Sequence, residues 1–140
     1  SSSIALVQAG LTAFAPVAVD LIDRLAAHLP ADYRVWELRA HATWVMGDVR
    51  LALGYVDEAI ELAGRGAPGA RSHLMKGFFL DELGSPDQAI SFATAAIDRG
   101  LSDQADLAEA HRFLARLYQD QGDETRRDAH LETYRRLTGS

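Results

Sequence analysis

Five histidines, His28, His41, His73, His111 and His130, are the residues of this chain most able to hold a metal or move a proton. A helical metal site needs two imidazoles three or four residues apart, so that both reach one ion. No pair has that spacing, and no carboxylate completes a recognised ligand motif, so no metal is expected. Ser72-His73 and the scattered carboxylates form neither a nucleophile elbow nor a paired-acid arrangement. The run Gly64-Arg65-Gly66-Ala67-Pro68-Gly69 lacks the Lys-Ser/Thr ending and the preceding strand of a phosphate loop, and it reads as a linker. There is no cysteine, which removes disulfides, thiol nucleophiles and thiolate metal sites. The expectation is a protein that is not an enzyme and needs no cofactor.

Composition narrows the partner class. With 140 residues, 48% of them hydrophobic, the chain is long enough to bury a core and reads as one domain, 1–140. A formal charge of -6 disfavours nucleic acid, whose phosphates demand a basic face. Lys76 is the only lysine beside many arginines, a bias of GC-rich bacterial coding more than of mechanism. The uncharged stretch Ile4 to Val19 lacks a basic leader, carries Gln8, Thr12 and Pro16, and falls short of the ~18–20 apolar residues that span a bilayer. It reads as a buried helix pair, with no membrane insertion. The expected compartment is the cytoplasm, the periplasm being the alternative if an upstream signal was removed from before Ser1.

The elements that position these side chains show in the spacing of small residues. Gly47, Gly84 and Gly122 stand 37 and 38 residues apart, each preceded at seven residues by Ala40, Gly77 or Ala115. Ala52 and Ala89 follow the first two glycines by five residues, and Ala59 and Ala96 follow by twelve. Such a period marks a stack of helical hairpins in which small residues let paired helices approach. Helices are expected over Ser3 to Ala13, Pro16 to His28, from after the cap Asp32 to Met46, from Gly47-Asp48 to Ala63, Ala70 to Leu83, Pro86 to Arg99, from a cap at Ser102 or Asp103 to Gln121, and from Gly122-Asp123 to Leu137. The hairpins then fall at 1–30 (degenerate), 33–66, 70–101 and 104–137.

The copy Trp36, Ala40, Gly47, Ala52, Val56, Ala59 resembles a tetratricopeptide repeat (TPR), a helix-turn-helix of about 34 residues. The next copy runs His73, Gly77, Gly84, Ala89, Ala93, Ala96. The third runs His111, Leu114, Ala115, Tyr118, Gly122, and departs with Arg127 where an alanine is expected. His73 and His111 stand where Trp36 stands, which assigns them to packing inside their hairpins. The resemblance implies an all-α, right-handed α-solenoid of about four TPR-like hairpins, about eight helices in all. The last helix is polar enough to act as a terminal cap. Val7 and Leu11 of the first are not covered by this scheme and suggest a self-association face or a missing neighbour.

In this family the first helix of each pair lines a groove that holds a peptide or helix of a partner. Carried over by position, the groove residues are Arg34, Glu37, His41 and Trp44, then Arg71, Leu74, Phe78 and Asp81, then Glu109, Arg112, Arg116 and Gln119. Trp44, Leu74 and Phe78 would form an apolar centre and Arg112 and Arg116 a basic end. The competing assignments are packing between hairpins for Trp44 and Phe78, and a solvated ion-paired face for the arginines with Glu109 and Asp120. Members that grip a C-terminal carboxylate use lysines and asparagines. Here those places hold Glu37, His41, Met75, Glu109 and Phe113, so that mode is not expected. The function implied is a non-enzymatic protein-interaction module, a scaffold, adaptor or chaperone-like binder. The alternative is a regulatory or oligomerising segment of a larger enzyme or regulator.

Overall fold

The computed structural model describes residues 19–139, and all regular structure among them is helical. The helix expected over Ser3 to Ala13, with Val7 and Leu11, lies outside the described residues. Helical backbone at 19–28 is α1. It is followed by α2 (Tyr33–Val45), α3 (Val49–Ala63), a single 3-10 turn (Ala67–Gly69), α4 (Ala70–Glu82), α5 (Pro86–Arg99), α6 (Gln104–Asp120) and α7 (Glu124–Thr138). The chain divides into two compact units, Ser1–Gly64 and Arg65–Ser140. The fold class is as the spacing predicts: all-α, built from hairpins α2–α3, α4–α5 and α6–α7.

Helix starts are written locally. Asp32, Asp48, Asp103 and Asp123 each accept a hydrogen bond from a backbone N–H of the first turn that follows, which satisfies a donor the helix itself cannot. Pro86 opens α5, where its missing N–H costs nothing. The three hairpin turns are copies of one another. Gly47, Gly84 and Gly122 hold φ of 95°, 83° and 77°, a left-handed conformation in which a Cβ would clash. Each lets the next residue's N–H reach back five places: Asp48 to the Thr43 carbonyl, Ser85 to Leu80 and Asp123 to Tyr118, at 3.1, 2.9 and 2.9 Å. The expected linker 64–69 differs in one respect. Its second half winds into the 3-10 turn, since Pro68 has the φ that turn requires.

In the first unit, Ala40, Ala52, Val56 and Ala59 are fully buried where α2 meets α3. In the second, Ala89, Ala93 and Ala96 take those places on α5, beside the fully buried Phe79, Leu114 and Leu117. The last helix is different. No residue of α7 is buried, because Arg127 and its charged neighbours replace the small apolar residues of α3 and α5. The larger exposed apolar side chains, Leu21, Leu25, Leu29, Val45, Met46 and Leu51, all lie in the first unit.

Candidate partner-binding faces

In the second unit, Arg71, Leu74, Phe78 and Asp81 follow one another by three, four and three residues, and so form a stripe along α4. Opposite lie Asp106, Glu109, Phe113 and Arg116 of α6. The Phe78 ring meets the Phe113 ring edge-on, with centroids 4.8 Å apart and planes at 87°, the arrangement favoured by the ring quadrupoles. The Arg116 guanidinium donates to Asp81 Oδ2 at 2.6 Å and lies 3.5 Å from Asp120 Oδ2. It also sits 5.5 Å from the Phe113 ring centroid. At the other end, Arg71 Nε is 3.8 Å from Asp106 Oδ2. Burial pushes the Asp106 carboxyl up, with Arg71 acting against that shift. Arg112 holds Glu109 through two bonds, Nε to Oε2 at 3.2 Å and Nη2 to Oε1 at 2.7 Å.

This face has one half-buried ring, Phe78, backed by the buried Phe113, and an ion-paired border. Leu74 is 3% exposed, so its contribution is to the wall beneath the aromatics and not to the outer surface. Arg112 and Arg116 are 59% and 53% exposed, and pairs that open to water add little to stability. They are therefore cheap to re-partner. Each guanidinium carries five N–H donors in a planar fork, enough to keep its present carboxylate and bind a further acceptor.

In the first unit, Arg34 folds back onto the capping carboxylate of Asp32 through Nε at 3.1 Å and Nη2 at 2.9 Å. Glu37 is 6% exposed. His41 and Trp44 are half-buried and meet edge-on at 5.8 Å. Of the four residues expected to line the groove here, His41 and Trp44 are brought together. Arg34 closes the helix start, and Glu37 points to the interior.

A second set of contacts was hidden in the repeat. Trp36 faces Tyr55 at 5.9 Å, His73 faces Phe92 at 5.8 Å, and His111 faces His130 at 5.1 Å, each pair nineteen residues apart across its hairpin. Arg39 lies 4.3 Å from the Tyr55 ring centroid and Lys76 lies 4.5 Å from that of Phe92, a cation repeated at one register position. Arg39 Nε is also 3.1 Å from Asp23 Oδ1, an ion pair in contact but not aligned as a hydrogen bond. Trp36 Nε1 donates to the Pro30 carbonyl at 2.8 Å. His73 Nδ1 donates to the Gly69 carbonyl at 2.7 Å, which fixes the proton on that nitrogen because a carbonyl only accepts. The recurrence of Trp36, His73 and His111 was legible; their partners were not, since one copy must be solved before the interval of nineteen is known. Among the described residues, no group of three or more His, Cys, Asp or Glu side chains could hold a metal ion.

No family model matches the chain, and no curated protein matches it. Solved structures do. A thermophilic TPR protein of Thermus thermophilus superposes with a TM-score of 0.79 at 20% identity, covering 96% of this chain and 72% of that one. MamA superposes with a TM-score of 0.76 at 13% identity, covering 97% of this chain and 76% of that one. BtubC (BKLC) from P. vanneervenii gives 0.76 at 19% identity, over 89% of this chain and 57% of that one. At these identities the likeness establishes the fold alone: a TPR-like helical repeat. Among the described residues no helix is long and apolar enough to cross a membrane.

Proposed function

We propose that this chain is a non-enzymatic binding module that takes a peptide or helix of a protein partner on the face formed by α4 and α6. The observation that carries this reading is the half-buried Phe78, seated edge-on against the buried Phe113 and bordered by the exposed guanidinium groups of Arg112 and Arg116. Aromatic anchors beside arginine combine rigid apolar area with directional donors, the composition of interface hot spots. The net charge of -6 favours a protein partner over nucleic acid. In the first unit, His41 and Trp44 offer a second, smaller anchor of the same kind. Selecting displayed peptides on the full chain, then measuring their affinity for Phe78→Ala and Arg112→Glu, tests the reading. The expected result is a loss of at least about 1–2 kcal/mol in binding for each variant, with the thermal melt retained. Selected peptides that bind both variants as tightly as wild type would overturn it.

A second reading is favoured by one observation. Leu21, Leu25, Leu29, Val45, Met46 and Leu51 leave the first unit with exposed apolar side chains that the second lacks. We propose on that ground the alternative of a regulatory or oligomerising segment, in which the first unit is covered by another polypeptide. Sedimentation of the chain over a range of concentrations separates the two readings. A monomer throughout removes self-association.

A further inference from the structure

We propose that His111 and His130 form a proton-sensitive latch that holds α7 against α6 at neutral pH and releases it on acidification. The two imidazoles meet Nδ1 to Nδ1 at 2.9 Å. That contact is a hydrogen bond only if one nitrogen carries a proton and the other offers its lone pair. A neutral pair satisfies this, and so does a pair holding one extra proton on a distal nitrogen. Two imidazolium rings cannot, because both facing nitrogens would then be donors. The second proton therefore breaks the contact.

The surroundings oppose even the first. Burial pulls both imidazoles below their ordinary range, and for His111 the neighbouring His130 and Arg136 pull the same way. From α6, Tyr118 stacks on His130 at 5.6 Å with planes 6° apart. From α7, Arg126 lies over the other ring of that stack, 5.7 Å from the Tyr118 centroid. Acids of the neighbouring helices pair with other groups: Asp81 of α4 with Arg116, Asp106 and Glu109 of α6 with Arg71 and Arg112, Asp87 of α5 with Gln121, and Asp128 of α7 with Arg127.

The helix that the latch holds lies at the surface. α7 buries no residue; besides the His111–His130 contact and the Tyr118 stack, it is held by the half-buried Leu131, Tyr134 and Leu137 and by the bond from Gln104 Nε2 to the Leu137 carbonyl at 3.0 Å. Leu114, Ala115 and Leu117 of α6 are buried at neutral pH, and release of α7 would expose whichever of them it covers. The other two hairpins hold Trp36–Tyr55 and His73–Phe92 at the same register, pairs in which protons cannot confront each other. This proposal stands apart from the binding face and does not depend on it.

The test is amide hydrogen exchange of the full chain at about pH 7.5 and about pH 5, either side of the ordinary imidazole value. Corrected for intrinsic rate, protection of α7 in the wild type should fall by about tenfold or more relative to α7 of His130→Phe, since each proton taken up shifts the equilibrium about tenfold per pH unit. His130→Phe, which rebuilds the His–Phe pair of the α4–α5 hairpin, should keep its α7 protection. Should that variant not fold, the imidazole signals of the wild type give the answer alone: two separated titration steps are expected. Equal loss across all helices, unchanged α7 protection, or two coincident titrations near the ordinary value would overturn the latch.

Discussion

Gly77 brings α4 so near α5 that a Cβ placed on it would stand 3.1 Å from the Ala89 carbonyl oxygen. The same atom would lie 3.4 Å from the Ala93 nitrogen and 3.5 Å from Phe113 Cε2. Two of these neighbours are backbone and cannot turn away. Gly77→Leu should therefore destabilise the second unit by roughly 1–3 kcal/mol through overpacking. Gly54 is the control: it lies in the interior of α3, exposed, with nothing within 4 Å of an added Cβ. Gly54→Ala should stabilise by roughly 0.5–1 kcal/mol, because alanine loses less backbone freedom in a helix. Thermal melts of the two variants should move in opposite directions. An unchanged melt for Gly77→Leu would refute the close α4–α5 approach.

The start of α6 rests on one carboxylate. Asp103 Oδ1 accepts from Ala105 N at 2.8 Å and from Asp106 N at 3.2 Å, so one side chain satisfies two orphan donors. Asp103→Ala should cost about 1 kcal/mol, and Asp103→Asn or Asp103→Ser should recover most of it. Chemical denaturation of the three variants checks this. Equal loss in all of them would mean that charge, not the cap hydrogen bond, carries the effect.

These two sites show which parts of the molecule are legible in sequence. Helix ends and hairpin turns are short-range: Gly84 after Leu83 needs only its neighbours to act, so spacing locates it, and the cap before Gln104 is narrowed to Ser102 or Asp103, of which the structure uses Asp103. The close helix pairing is legible too, because Gly77 and Ala89 carry no bulk wherever the rest of the chain goes. Depth is not legible. Glu37 and Leu74 lie on the helices expected to line a groove, yet both are buried, since a position within a repeat specifies a helix and not how far a side chain reaches water. Contacts between hairpins are hidden for a similar reason. The Arg116–Asp81 pair joins residues 35 apart, and its register depends on how the loop from Gly100 to Asp103 places α6 beside α4.

That pair yields a charge-reversal prediction. Arg116 bonds Asp81 at 2.6 Å while both remain partly open to water, so its contribution to folding should be small, about 1 kcal/mol or less. Its contribution to binding should be larger, because a docked partner excludes the water that screens it. Asp81→Arg combined with Arg116→Asp should restore the fold while reversing preference among the selected peptides. A double variant that binds the original peptides unchanged would place the border of the face elsewhere.

His73 sets the acid limit of the α4–α5 hairpin. Burial lowers its proton affinity most, with Arg99 and Lys76 adding to that shift and the bond to the Gly69 carbonyl opposing it. A lowered imidazole favours the neutral form when folded, so the unfolded chain binds more protons through this range. The stabilisation is fully present above the ordinary value of about 6.5 and is lost as pH falls through it. The Nδ1–H bond to Gly69 survives protonation, because that nitrogen keeps its hydrogen, so the loss here is one of solvation alone. His73→Trp places on α4 the residue that its counterpart on α2 uses. It should flatten the pH dependence of α4 and α5 exchange between about pH 7 and about pH 5 and leave that of α7 unchanged. Retention of the full slope in α4 and α5 would show that another group governs their acid response.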